Sequence, residues 1–224
     1  MAKKKRFKPN WYEQPTPPGT YRSLLKWGDP AALKHPNSGL VKLMMETFEL
    51  TPEDLQQPLD LALDPVTIER PVNMEQRHLE AFTSICGSEN ISTNTYTRIS
   101  RSYGSAMIDA LRLRKHIIEN IPDLVVCPRS AEEIQQIVEY SNQHHIPVHV
   151  YGAGSSVTRG IEAVKGGVAL DMSAHLNRLV SFNETDQTIT VEAGMTGPQL
   201  EEILNHAPER LGAQRRYTCG HFPQ

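Results

Sequence analysis

Seven consecutive residues near the middle of the chain carry its strongest chemical signal: Val150-Tyr151-Gly152-Ala153-Gly154-Ser155-Ser156. An apolar run ends at Tyr151 and leads straight into small residues. Small residues let a backbone approach a diphosphate closely, and successive amide N–H groups can then face inward as a nest for negative charge. Ser155 and Ser156 add hydroxyl donors. An ordinary tight turn after a strand has the same composition, so loop composition alone leaves both readings open.

Two familiar phosphate motifs are excluded. The Walker loop needs a Gly-Lys-Ser/Thr ending, which is missing here. The Rossmann fingerprint is nearer, because Gly152 and Gly154 form GxG and Asp171 closes a strand at a suitable distance for a ribose contact. The third glycine position is Val157, however. No helical stripe runs from Ser155 to Gly167, and that fold places the pyrophosphate at a helix N-terminus.

Other reactive residues carry plainer explanations. His144, His145 and His149 suggest a metal site, but Pro147 prevents His145 and His149 from sharing a helix face. Arg98, Arg101, Arg112, Arg114 and Lys115 could hold an anionic substrate, yet their interleaving predicts a solvated helix face. Tyr103 is expected to be a packed aromatic, not a proton donor. Cys219 beside His221 imitates a nucleophile with its base, a geometry that near neighbours in sequence rarely adopt.

These residues sit in a chain of 224 residues with 38% hydrophobic content, 22% charged content and a net charge of -3. That balance predicts a folded, soluble protein and gives no electrostatic reason for nucleic acid as a partner. Cys86, Cys127 and Cys219 form no CxxC pair and are expected to be reduced thiols. The basic start, Lys3-Lys4-Lys5-Arg6, is followed by Pro9, Asn10 and Trp11 instead of an apolar stretch, so it does not read as a signal peptide. No window reaches the length of a transmembrane span.

The elements that must position the loop can be read from periodicity. Residues 1–37 are irregular and proline-rich. Trp11, Tyr12, Tyr21 and Trp27 predict that they lie against a folded body. Apolar spacing predicts helices over 38–48, 74–86 and 105–118. Leu124-Val125-Val126-Cys127 reads as a buried strand. Ser130 and Glu133 then form a capping box, opening a helix that ends near Gln143. Residues 147–151 form the next strand, and the strand–helix–strand order predicts a parallel pair. Further strands are expected at 168–171, 179–182 and 188–192, the last two joined by a turn at 183–186. A second capping box at Thr196 and Gln199 opens a helix with Leu200, Ile203 and Leu204 inward.

The ordered string of motifs is more specific than the loop. Pro122-Asp123-Leu124-Val125-Val126-Cys127-Pro128 precedes the capped helix, and Tyr151 to Ser156 follow it. Ala169-Leu170-Asp171-Met172-Ser173, Leu176-Asn177-Arg178-Leu179-Val180 and Thr190-Val191-Glu192-Ala193-Gly194-Met195 come next. This order resembles the PCMH-type FAD-binding domain shared by vanillyl-alcohol oxidase and p-cresol methylhydroxylase. Arg101-Ser102-Tyr103-Gly104, Ser23 to Gly28 and Cys219 to Gln224 resemble the alkyldihydroxyacetonephosphate synthase branch.

The resemblance implies an α+β fold: a βαβ start with further strands and flanking helices. It implies that Val150, Tyr151, Gly152, Ala153, Gly154, Ser155 and Ser156 wrap the FAD pyrophosphate. It also implies a second cofactor segment that starts at Gly220-His221-Phe222-Pro223 and includes Gln224, where relatives carry an acidic residue. Covalent members often carry His in the loop. The matching residue here is Ser155, so FAD is expected to be non-covalent. The branch exchanges an acyl for an alkyl group on dihydroxyacetone phosphate. An FAD-linked oxidase or dehydrogenase of a 2-hydroxy acid is the alternative, and a catalytically silent flavin-binding module is another. A small-molecule or lipid-precursor substrate is implied for the full-length enzyme, and a homodimer is compatible. Three regions are expected: an extension at 1–37, a mainly helical segment at 38–119 and the FAD-binding domain at 120–224. That domain would be incomplete at its C-terminus, as in a portion of a longer flavoenzyme, and no catalytic residue is assigned. No peroxisomal tripeptide ends the chain, which predicts a cytoplasmic setting.

Overall fold

The structure is a computed structural model that describes residues 16–24, 37–56 and 62–219. The expected packing of Trp11, Tyr12 and Trp27, and the Gly220–Gln224 cofactor segment, lie outside the described residues. The chain divides into two compact units, Met1–Val66 and Thr67–Gln224.

In the first unit a short 3-10 turn spans Tyr21–Leu24, and Tyr21 is buried. Its amide donates to Asp64 O at 3.1 Å, and Thr20 bridges Pro65. Helix α1, Ser38–Phe48, starts where Asn37 accepts from the Leu40 amide at 2.9 Å. Helix α2 spans Pro52–Gln56.

The second unit holds a four-stranded sheet and a two-stranded hairpin. Helix α3 is Gln76–Cys86, strand β1 is Ile91–Ser92 and helix α4 is Thr95–Ser100. Helix α5 is Met107–Arg114, shorter than expected, because Lys115 caps it and His116 turns into the left-handed region at φ 56°. Then follow β2 (Leu124–Val126), α6 (Ala131–Gln143), β3 (Val148–Tyr151) and β4 (Val168–Asp171). The sheet order is β1-β2-β4-β3, with β1 antiparallel and the other neighbours parallel. The strands flanking α6 are therefore parallel but not adjacent: β4 lies between them. All four β4 residues are buried, and a strand covered on both faces takes the interior place in a sheet.

The core packs Phe82 of α3 and Ile137 of α6 against Leu124, Val126, Val168 and Leu170 of the sheet. Ser130 caps α6 by accepting from the Glu133 amide at 3.3 Å. The reciprocal half of the box differs from expectation. Glu133 reaches the Arg129 amide at 2.7 Å, because its carboxylate also binds the Arg129 guanidinium.

Strands β5 (Leu179–Asn183) and β6 (Thr188–Val191) form the hairpin. Asn183 Oδ1 accepts from the Asp186 amide at 3.0 Å and shapes the turn. Helix α7, Gly197–Asn205, opens where Gln199 accepts from the Thr196 amide at 2.8 Å, and α8 spans Ala207–Leu211. Leu204 is buried, while Leu200 and Ile203 are half-buried.

Candidate cofactor site

Strands β2, β4 and β3 run parallel, so their C-terminal ends share one edge of the sheet. Open parallel sheets bind ligands at that edge. Gly152 to Ser156 leave β3 there. No regular element spans Gly152 to Gly167, so no helix N-terminus follows the loop.

The loop's shape depends on Gly154. Its φ is +69°, and a Cβ would overlap the Tyr151 hydroxyl and ring edge. Only glycine meets both conditions without strain. Among the described residues, the amides of Ala153, Gly154 and Ser156 donate to no protein acceptor. Ser155 and Ser156 are half-buried, Ala153 is exposed and the Val150 side chain faces solvent. Gly152 lies beside the Ala193 carbonyl, with its Cβ position 3.5 Å from that oxygen.

The segment Arg101–Ser105 packs onto the loop. A Cβ on Gly104 would overlap the Ser156 carbonyl oxygen. The Ser105 amide donates to that same oxygen at 2.7 Å, and the Ser105 hydroxyl donates to Gly154 O at 3.1 Å. Arg101 sits with its guanidinium carbon 4.9 Å from the Tyr151 ring centroid. Its Nε donates to Asp171 Oδ2 at 2.6 Å, and its Nη1 donates to Ser100 Oγ at 2.8 Å.

Asp171 pairs with Tyr151 in the β3–β4 register and is 1% exposed. Its second oxygen accepts from the Ser173 amide at 2.9 Å and hydroxyl at 2.6 Å. Asp171 is thus fully engaged by protein, which removes the ribose role that a Rossmann reading would give it. Burial opposes the charge on Arg101, but Asp171 outweighs burial and holds the guanidinium pKa above its ordinary value. Burial pushes the Tyr151 phenol up, so it stays neutral beside the loop.

The segment after the loop is tied down by ions. Arg159, in the left-handed region at φ 62°, donates to Glu162 at 2.6 Å and places Nε 3.4 Å from Asp109. Arg112 of α5 lies 3.6 Å from Glu162 and pairs with Glu119. Asn120 donates to Glu162 at 2.8 Å.

The arginines correct one expectation. Arg98, Arg101 and Arg112 do not line a solvated helix face, because α4 and α5 are separate helices. Arg98 is buried and donates to Pro122 O at 2.7 Å, Arg70 O at 2.7 Å and Pro71 O at 3.1 Å. These carbonyls flank prolines in irregular chain, where no ladder partner satisfies them, and the guanidinium fork takes that place. Tyr103 is buried, and its hydroxyl accepts from the Glu119 amide at 3.3 Å.

His149 bonds Gly166 O at 3.1 Å, and His144 stacks on Tyr140 with centroids 4.3 Å apart. Among the described residues no cluster of three or more His, Cys, Asp or Glu side chains is arranged for a metal. Cys219 donates from Sγ to Glu201 at 3.0 Å. Burial pushes the Cys86 thiol up to about 11 and raises Cys127 as well. Neither thiol is an activated nucleophile.

Residues 122–219 match the family described as "FAD binding domain". This stretch, less than half of the chain, is similar to that family. The cofactor of the domain is FAD. Alkyldihydroxyacetonephosphate synthase of Dictyostelium discoideum is 26% identical over 181 residues, covering 78% of this chain and 29% of the relative. A mitochondrial D-lactate dehydrogenase [cytochrome] of Arabidopsis thaliana is 38% identical over 89 residues, covering 40% of this chain and 16% of the relative. A solved structure of alkyldihydroxyacetonephosphate synthase superposes with a TM-score of 0.61 at 25% identity, covering 74% of this chain and 32% of that one. The chain spans less than a third of the length of the curated relatives it matches.

The residues present fit the cofactor. The loop turns at Gly154, where a Cβ would meet the Tyr151 ring, and it carries amides with no protein acceptor beside two serines. Arg101 to Gly104 are visible in the sequence as part of the family likeness, but their contact with this loop is not. The Arg101–Tyr151 stacking joins residues 50 apart in sequence and has no local signature.

Proposed function

We propose that Val150 to Ser156 wrap the pyrophosphate of a dissociable FAD. We further propose that the chain is the flavin-binding portion of an alkyldihydroxyacetonephosphate synthase-like enzyme. The observation that carries this reading is the cradle itself. The amides of Ala153, Gly154 and Ser156, which have no protein acceptor, lie where Gly154 turns at the C-terminal edge of the parallel strands. The likeness to the Dictyostelium synthase over 78% of the chain supports the branch. Gly220 to Gln224 are proposed to begin the second cofactor segment.

Bound FAD supplies an electron-accepting ring system, which suits a redox-neutral exchange of acyl for alkyl on dihydroxyacetone phosphate. This chain's contribution is binding and orientation. Backbone amides and serine hydroxyls hold negative phosphate oxygens, and Arg101 and Asp171 fix the strand end from which the loop departs. Groups that act on substrate belong to the remainder of a full-length enzyme, whose setting is proposed to be cytoplasmic.

A second reading is a 2-hydroxy-acid dehydrogenase, favoured by the 38% identity to the Arabidopsis D-lactate enzyme. The test loads the full-length enzyme of which this chain is proposed to be the flavin-binding portion with FAD, and supplies acyl-dihydroxyacetone phosphate with a fatty alcohol, and separately D-lactate or glycolate with a redox dye. Ether product supports the synthase reading. Dye reduction supports the second. Flavin uptake with neither activity assigns a silent binding module.

A further inference from the structure

The family match begins at residue 122, yet the cradle leans on residues before it. Three residues make the link. Gly104 approaches the Ser156 carbonyl too closely for any side chain. Ser105 holds Ser156 O through its amide and Gly154 O through its hydroxyl. Arg101 covers the Tyr151 ring, whose edge touches the Gly154 turn from within the loop.

The direction of these contacts matters. Ser105 takes carbonyl oxygens of the loop, not its amides. A loop whose Gly154 and Ser156 carbonyls are held on one side is biased to present its N–H groups elsewhere, as an anion nest requires. Tyr151 fills the space inside the turn, so its ring position sets where Gly154 can go. Arg101 fixes that ring by stacking, and Asp171, 1% exposed and bonded to Ser173, fixes Arg101. The charge on Asp171 also limits any direct phosphate role for Arg101, whose Nε it already occupies.

We infer that Arg101 is a positioning residue for the FAD cradle, acting through Tyr151, and that Arg101 to Ser105 form a brace completing the site from outside the recognised domain. The inference rests on reading Val150 to Ser156 as the pyrophosphate site. The guanidinium lies over the Tyr151 ring while its Nε bonds Asp171, a two-sided contact that the point charge of a lysine ammonium does not reproduce.

The test uses the full chain with Arg101→Met, Arg101→Lys, Tyr151→Phe and Tyr151→Leu, and Arg178→Met in the β5–β6 hairpin as a remote control. FAD affinity is measured by titration. Amide hydrogen exchange of the peptide covering 102–107, in which the Ser105 amide bonds the Ser156 carbonyl, is measured without flavin. Arg101→Met, Arg101→Lys and Tyr151→Leu are expected to weaken FAD binding about tenfold or more, the scale of a stacking contact. Each should speed exchange in that peptide while the hairpin peptide is unchanged. Tyr151→Phe keeps the ring and should bind FAD like the parent, as should Arg178→Met. Arg101→Met combined with Tyr151→Leu should be no worse than either alone.

Parent-like affinity and exchange in both Arg101 variants overturn the brace. So does faster exchange spread evenly over the molecule, which marks general destabilisation. If Arg101→Met does not fold, Arg101→Lys, which keeps the charge facing Asp171, decides. A parent chain that takes up no FAD overturns the cradle reading, and the exchange data still judge the brace.

Discussion

The Ser105 amide and the Gly104 backbone converge on one atom, the Ser156 carbonyl oxygen. The amide bonds it at 2.7 Å, and Gly104 leaves no room for a side chain beside it. The relation joins the irregular segment between two helices to the cofactor loop. Gly104→Ala should therefore disturb both. The expected cost is about 1–3 kcal/mol of stability, the range for forced overpacking, together with weaker flavin binding. Thermal melting and FAD titration read the two effects. A variant that melts and binds like the parent contradicts the packing described.

Arg98 should behave as an interior strut. Burial pushes its pKa down, yet three carbonyls remain bonded to it. Arg98→Met leaves those acceptors without donors, and the expected loss is about 2–4 kcal/mol. The shift in urea midpoint measures it.

Stability should depend on acid through Glu162. Burial raises its pKa, but Asn120, Arg159 and Arg112 outweigh burial and hold it below the ordinary 4.5. Its stabilisation is thus present above 4.5 and lost as pH falls through the lower folded value. Asp109 works in the opposite sense. Burial raises it above 3.8, so its contribution is lost as pH rises through its folded value. Glu162→Gln should lower stability at neutral pH and flatten the acid limb. Asp109→Asn should remove the loss above 3.8. Urea midpoints followed from about pH 3 to 7 separate the two.

Flavin should leave the protein intact. By its resemblance to the PCMH-type family, the chain has Ser155 at the loop position where covalent members often carry histidine, and a hydroxyl offers no imidazole for attachment. Acid precipitation is expected to leave the flavin in the supernatant. Yellow colour that stays with the precipitated chain refutes this.

Much of the sheet was legible because its strands are apolar throughout or alternate cleanly. Leu124–Val126 was readable as a buried strand, Val168–Asp171 as a strand, and Thr196 and Gln199 as a cap. Strand order was not legible, since nothing local says that β4 enters between β2 and β3. The arginines were misread for a related reason. Periodicity sees charge spacing on one helix, whereas Arg98 and Arg101 are satisfied by residues 24 and 70 positions away. The glycine loop was visible as composition. The geometry proposed to make it a cradle depends on Gly104, Ser105 and Tyr151 together.

The central claim is that the loop holds FAD, and a direct titration of the purified chain tests it. The parent protein should quench flavin fluorescence saturably and stay yellow after removal of free FAD. Gly154→Ala, which puts a Cβ into the Tyr151 ring at a φ of +69°, should lose that binding while keeping its fold by circular dichroism. A parent chain that remains colourless with excess FAD, or a Gly154→Ala variant that binds as tightly as the parent, contradicts the account.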